Sequence, residues 1–438
     1  MRAGTWKSVA ASVSVIALTA ATTPISQAAI NLDYEGYNGA QSCISIDSNG
    51  NVKAPQAGEC AQFGKGGQGR SNEKAKNVIM IVGDGMGHQE ITAARNYLLG
   101  AGGRFDGLDN LTATGAYTTF AIDEDGKKSY VTDSAASATG WATGTKSYNG
   151  ALGVDIAKKP HINLLEMAKN SGMRTGNVTT SEIQDATPAA MGAHISQRGY
   201  YAPSGDSKPV KGVEARENGG LGSISEQLID TRADVTLGGG AKYFDTKVMA
   251  DSGNTNPFLE GDAKFATTWE KDKTVAENAE ANGYKIVRTR DELAAVTEAN
   301  QDQPVLGLFH DKNMTRRFES STPTKGGATA EPTTCTEANI GNEPELADMT
   351  KKAIELLDKP NEEKGFFLQV ESASIDKADH AADACGFIGE LKRLEDTVAT
   401  AVDFAKKDGD TLVVVTADHA HTAQIVPDGK DSPAVTTR

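Results

Sequence analysis

The stretch Asn77-Val78-Ile79-Met80-Ile81-Val82-Gly83-Asp84-Gly85-Met86-Gly87 decides the fold. Its apolar run is rich in β-branched residues and lacks polar alternation, so it reads as a strand buried on both faces. Such strands belong to parallel sheets covered by helices on both sides. The run ends on one aspartate flanked by glycines, which lets backbone or an ion come close to that carboxylate. An Asp-Gly turn explains Asp84 equally well when it is taken alone.

The pattern recurs along the chain. A strand at 174–180 leads to Glu182-Ile183-Gln184-Asp185-Ala186-Thr187-Pro188. A strand at 365–370 ends on Glu371, followed by Ser372-Ala373-Ser374-Ile375-Asp376-Lys377-Ala378-Asp379-His380. A last strand at 411–416 ends in Ala417-Asp418-His419-Ala420-His421. Shorter strands fit 234–237, 284–288 and 304–309, and 111–122 reads as strand-rich. Helices fit 89–99, 162–169, 223–231 (opened by a Ser223–Glu226 capping box), 274–282, 344–357 and 388–407. The expected fold class is α/β. A mostly parallel central sheet carries helices on both faces, with the active site at the carboxyl ends of its strands.

Several acids stand at those ends. Asp185 and Thr187 offer two hard oxygens to magnesium, or form an N-cap pair before Pro188. Asp376 and His380 are four apart, so one helical turn puts both on one face, as an ion chelate or an exposed salt bridge. Asp84, Glu371, Asp418 and His419 converge on one sheet edge. Buried carboxylates that close repel one another unless cations separate them.

A nucleophile fits beside them. In Tyr130-Val131-Thr132-Asp133-Ser134-Ala135-Ala136-Ser137, Val131 and Thr132 suit an extended segment, and Ser134 opens a helix capped by Thr132 or Asp133. Free N–H groups and the helix dipole favour an anion there. A serine at that position also serves as a plain helix start. Mixed histidine and carboxylate ligands suit zinc, and all-oxygen ligands suit magnesium. Two zinc ions suit in-line displacement at phosphorus.

The 438 residues carry 44 Lys and Arg against 59 Asp and Glu, a formal net charge of -15. That balance argues against a nucleic-acid partner, whose phosphates would be repelled. Arg2 and Lys7 precede the uncharged run 9–21 and the small-x-small signal Ser26-Gln27-Ala28, which together read as a secretory signal over 1–28. No later stretch is long and apolar enough to span a bilayer, so the expected location is periplasmic or secreted. An irregular arm is expected over 29–75 and the α/β domain over 76–438. Cys43, Cys60, Cys335 and Cys385 form an even set in an exported chain, and local pairing Cys43–Cys60 and Cys335–Cys385 is the simplest of three.

Taken in order, the runs 82–87, 131–137, 184–188, 371–380 and 416–421 closely resemble bacterial alkaline phosphatases, from about Lys76 to Gln424. The resemblance implies hydrolysis of small phosphate monoesters through a phosphoserine on Ser134. Asp133 supports the site, and Arg198 holds two phosphate oxygens in its fork. Asp84, Asp418 and His419 are implied as ligands of the zinc beside Ser134, and Asp376 and His380 as ligands of the second zinc. Asp84, Asp185, Thr187 and Glu371 are implied around magnesium. Lys377 would reach phosphate through water, and His421 would support a ligand rather than bind an ion. The family is typically homodimeric and has no membrane partner. It also places a third histidine on the second zinc, in a later His-Thr-Gly-like motif. The sequence as given reaches Arg438 without it, so the ion at Asp376 and His380 is expected to bind weakly here, beside an exposed sheet edge. His88, His161, His194 and His310 stand in other contexts. The rival expectations are a sulfatase or phosphodiesterase of the same superfamily, and an inactive phosphate- or metal-binding fragment.

Overall fold

The computed structural model describes residues 75–425 apart from 101, 207, 260–266, 325–330 and 360–362, plus two short paired strands, Ser45–Ile46 and Val52–Lys53. The secretory signal, most of the expected arm and the Cys43–Cys60 pairing lie outside the described residues.

Seven strands form the central sheet. In chain order they are β1 (Asn77–Gly83), β2 (Arg174–Glu182), β3 (Val235–Gly239), β4 (Lys285–Val287), β5 (Val305–Leu308), β6 (Phe366–Ser372) and β7 (Thr411–Ala417). Their spatial order is β7-β1-β6-β2-β3-β5-β4, and every pairing is parallel. The register decides where the acids stand. Ala417 pairs with Gly83, and Ser372 also pairs with Gly83. Asp84 and Asp418 therefore leave adjacent strands at one level, and Glu371, paired with Val82, stands two residues earlier near the end of the neighbouring strand.

The central strands β1 and β6 feed two cores, because their side chains alternate between faces. Ile79, Ile81, Phe366, Leu368 and Val370 point into one core with α6 (Leu346–Leu357) and the long α8 (Ala384–Asp408). Met80, Val82 and Phe367 point into the other, with α2 (Ser134–Thr143), α3 (Leu164–Asn170), α4 (Ile224–Thr231) and α5 (Val275–Ala281). Each fully buried Ile or Val contributes roughly 1.5–3 kcal/mol. α1 (His88–Leu99) follows β1, and α7 (Ser374–His380) follows β6 directly.

Two local expectations differ from the structure. Only Ala121–Ile122 of the segment 111–122 is strand, paired with Lys128–Ser129. Most of that stretch is exposed, so its Thr and Tyr have no core face to bury. Val131 lies in a bend and is 77% exposed, and Thr132 carries no regular structure, where the sequence predicts an extended segment. The serine helix is thus reached through a surface loop. It packs by Ala135, Ala138 and Ala142, whose small side chains let the helix lie close to the sheet.

Cys335 and Cys385 form a disulfide that closes a loop of 50 residues. A closure of that length stabilises by about 4 kcal/mol in the loop-entropy account. β7 lies at the edge of the sheet, with Leu412 and Val414 partly exposed. Among the described residues no helix is long and apolar enough to cross a membrane.

Candidate active site

Ser134 is the first residue of α2, and Asp133 is its N-cap, accepting from Ala136 N at 2.8 Å. Of the two caps the sequence allows, Asp133 is the one used. The free N–H groups of a ten-residue helix then face the space around Ser134 Oγ.

That oxygen meets the acids at the strand ends. Asp84 Oδ1 and Oδ2 lie 3.4 and 3.5 Å from Ser134 Oγ, and His419 Nε2 lies 3.4 Å away. Ser137 Oγ donates to Asp418 O at 2.7 Å, which ties α2 to the end of β7. Asp418 Oδ1 accepts from Gly85 N and His419 N, both at 2.8 Å. His419 Nδ1 faces Ala420 O at 3.1 Å, and a carbonyl only accepts. The ring proton therefore sits on Nδ1, and the lone pair of Nε2 points at Ser134 and the carboxylates.

A second group adjoins the first. Asp376 N donates to Asp84 O at 2.9 Å, so α7 starts against the end of β1. Gly85 permits that approach: its φ is +72°, and a Cβ there would stand 2.9 Å from Asp376 Cα. Asp376 Oδ1 lies 3.5 Å from His380 Nε2 and 3.3 Å from His421 Nε2. The His380 and His421 rings meet edge-on, 4.5 Å between centroids. Thr422 N donates to His421 Nδ1 at 2.9 Å, which leaves the His421 proton on Nε2, facing Asp376. The Nε2–Oδ1 approach is not a closed hydrogen bond, so the His421 ring stands beside Asp376 without satisfying it.

The third group is all oxygen and cation. Glu371 accepts from Thr179 Oγ1 at 2.5 Å and Ser181 Oγ at 3.2 Å, with the Thr187 hydroxyl also against it. Asp185 caps the short helix Ala186–Ala189 and takes Arg198 Nη2 at 2.8 Å, Lys377 Nζ at 2.8 Å and Tyr201 Oη at 2.9 Å. Arg198 also reaches Asp133 Oδ2 at 3.2 Å. One arginine thereby joins the nucleophile's cap to the magnesium-type group.

The electrostatics follow from burial. Burial, then the charges of Asp418 and Asp376, push the Asp84 carboxyl well above its usual range, with Lys377 opposing. Burial raises Glu371 to about 7, with Lys377 and Thr179 opposing. Burial also penalises the Asp185 carboxylate, but Lys377 and Arg198 outweigh it and hold that group well below the usual range.

The donor sets fit cations. Ligand atoms of Asp84, Asp418 and His419 lie within 4.8 Å of one another, and so do those of Asp376, His380 and His421. Asp376 Oδ1 is buried and accepts no hydrogen bond. Mixed nitrogen and carboxylate donors suit zinc, and the Glu371, Thr187 and Asp84 oxygens suit magnesium.

All thirteen residues singled out in the sequence stand at this rim. Sequence reasoning missed their supports. Asn177 Nδ2 donates to Pro188 O at 2.8 Å, and Gln369 Nε2 donates to Thr187 O at 3.0 Å. These two amides, on adjacent strands, anchor the segment that carries Asp185 and Thr187. Their signal was present: a polar side chain inside an apolar strand run needs a partner. Tyr201, three residues after Arg198, was missed as a donor to Asp185.

Comparison with known proteins agrees with this geometry. The alkaline phosphatase family model matches residues 75–433. The alkaline phosphatase of Escherichia coli K12 is 54% identical over 371 residues, which cover 84% of this chain and 74% of that protein. A streptomycin-6-phosphate phosphatase of Streptomyces griseus is 43% identical over 362 residues, covering 81% of this chain and 75% of the relative. The solved alkaline phosphatase of the Antarctic bacterium TAB5 superposes with a TM-score of 0.59 at 26% identity, over 83% of this chain and 86% of that one. A mutant of the TAB5 enzyme, TM-score 0.56 at 25% identity over 83% and 85% of the two chains, is described with magnesium bound. The chain belongs to the alkaline phosphatase family, hydrolases of phosphate monoesters.

Proposed function

We propose that the chain hydrolyses small phosphate monoesters through a phosphoserine on Ser134. The observation that carries this reading is Ser134 Oγ at a helix N-terminus, 3.4 Å from both Asp84 Oδ1 and His419 Nε2. The ester's phosphoryl group lies over the start of α2, where free N–H groups and the dipole favour its charge. Arg198 holds two of its oxygens, and Asp133 and Asp185 hold Arg198. Lys377, between Asp185, Asp84 and Glu371, supplies positive charge through water. Ser134 Oγ attacks phosphorus in line. The Ser–O–P bond forms, the bond to the ester oxygen breaks, and the alcohol leaves with a proton. Water then attacks the phosphoserine, releasing phosphate and restoring the hydroxyl.

Two zinc ions fit the Asp84, Asp418, His419 set and the Asp376, His380 set, and one magnesium ion fits Asp84, Asp185, Thr187 and Glu371. When bound, these ions neutralise charge on the transferring group and acidify the oxygens beside it. His421 steadies Asp376. Export to the periplasm or medium fits the basic and apolar start of the sequence, and a homodimer fits the family resemblance.

Rates on an aryl phosphate, an aryl sulfate and a phosphate diester test the reading. A phosphate rate at least about a hundredfold above the other two is expected, since Arg198 and Lys377 are arranged for a dianion. A faster sulfate or diester rate refutes it.

A further inference from the structure

A buried histidine outside the metal-type groups is tied to the phosphate-binding arginine. His194 and Glu166 have side chains 1% and 0% exposed, and His194 Nε2 lies 2.7 Å from Glu166 Oε1. On the other side of the ring, Nδ1 faces Gly153 O at 3.0 Å. That carbonyl only accepts, so Nδ1 donates, and one proton lies between Nε2 and Oε1. Glu166 is fixed independently: its Oε2 accepts from Asn163 N at 2.9 Å and its Oε1 from Asn256 Nδ2 at 2.5 Å. Phe258 N donates to Asn256 Oδ1 at 3.0 Å, which settles the orientation of that amide.

Gly153 belongs to a strap that leads to the catalytic serine. Leu152 and Ile195 exchange backbone bonds of 3.0 and 2.8 Å, and Arg198 N donates to Gly150 O at 2.6 Å. Gly150 N donates to Asp133 Oδ2 at 2.9 Å, the same oxygen that takes Arg198 Nη1. Thr139 of α2 grips the strap between, donating to Ala151 O at 2.9 Å and accepting from Gly153 N at 3.0 Å. Gly153 has φ +64°, and a Cβ there would stand 2.6 Å from His194 Nδ1, so only glycine lets the Nδ1 edge of the ring come this close to the strap.

We propose that His194 is a positioning residue for phosphate binding: by joining Gly153 to the anchored Glu166 it sets the register of strap 150–153 on 195–198, and so the place of Arg198 over Ser134. This rests on the reading of Arg198 as the phosphate-binding group. An apolar residue of similar size would fill the space but leave Gly153 O with only its bond from His161 N, at 2.9 Å, and Glu166 Oε1 with only its bond from Asn256 Nδ2. A displaced strap moves Arg198 through Gly150, and displacements near 1 Å in a binding arginine weaken binding by an order of magnitude or more.

The test uses the metal-loaded enzyme and four variants, with KM for an aryl phosphate, Ki for inorganic phosphate, kcat and Tm as readouts. In His194→Asn an N–H stands where Nδ1 stood, keeping the Gly153 bond. In His194→Gln the donor reaches toward Glu166 and the Gly153 bond is lost. Both are polar and of near size, so neither relies on an apolar replacement folding. The expected result is KM and Ki within about threefold of wild type for Asn, and both raised about tenfold for Gln with kcat within about threefold. In an Arg198→Ala background, the Gln substitution is expected to add no further rise in Ki. Equal Ki values for Asn and Gln, or the same factor in both backgrounds, overturn the proposal and leave His194 a core residue. If Arg198→Ala alone leaves Ki unchanged, the reading of Arg198 fails, and the proposal fails with it.

Discussion

Asp133 Oδ2 accepts from Gly150 N at 2.9 Å and from Arg198 Nη1 at 3.2 Å, while its Oδ1 caps the helix that begins at Ser134. One carboxylate thus links the start of the Ser134 helix to Arg198. The Asp133 carboxylate supplies the helix cap, and the long side chain of Arg198 spans from Asp133 to Asp185. Chemistry at phosphorus needs both partners held before the ester arrives, because orientation is where most of the gain lies.

Arg198→Lys keeps the charge but loses the fork. KM and phosphate Ki are expected to rise about tenfold or more, with a smaller loss in kcat. Steady-state kinetics with an aryl phosphate checks this, and an unchanged Ki counts against Arg198 as the phosphate ligand.

His419→Ala removes the lone pair aimed at Ser134. Chelation of the wild-type protein is expected to abolish activity, with return on adding zinc and magnesium. The variant should hold about one zinc fewer per chain by elemental analysis after dialysis. Undiminished zinc in His419→Ala would remove that residue from the ligand set.

Thr179→Val keeps the shape but withdraws the hydroxyl that donates to Glu371 at 2.5 Å. Partners of ligands commonly account for about 10–100-fold in metal affinity. The magnesium concentration for half-maximal activation should rise by about tenfold, and an identical activation curve argues that Glu371 needs no such support.

Lys169 is buried against Arg232 O and Gln301, and burial pushes its ammonium down to about 8, with Asp234 opposing and Arg232 assisting. The folded chain therefore releases this proton at lower pH than the unfolded chain does. Its penalty is complete below pH 8 and disappears as pH rises toward 10.5, where an unperturbed lysine titrates. Stability of wild type relative to Lys169→Met should rise by on the order of 1–3 kcal/mol across that window. Urea unfolding at the two ends measures it, and a flat or falling difference contradicts the assignment.

Much of the rim was legible because its residues sit at element boundaries. A glycine-flanked Asp84, a Glu371 near the end of an apolar strand and an Asp418–His419 pair closing another are local signals, and parallel register brings them to the same end of the sheet. The cap at Asp133 was legible for the same reason. The supports were not, because their partners are remote in sequence. Gln369 and Thr187 are 182 residues apart, and nothing near either announces the bond. Tyr201 opens a polar stretch of sequence and His194 stands away from the metal-type motifs, and only the fold shows what faces their polar atoms. The segment 111–122 misled because its Thr, Tyr and Ile content is that of a strand, while strand formation needed a neighbour and a core face that only 121–122 find.

The central claim is that Ser134 carries the phosphoryl group during turnover. Wild-type enzyme incubated with labelled inorganic phosphate and quenched in acid, then cleaved and mapped, tests it most directly. The account predicts label on the peptide containing Ser134, absent in Ser134→Ala while its metal content is largely kept. Label on another residue, or label persisting in Ser134→Ala, would contradict it.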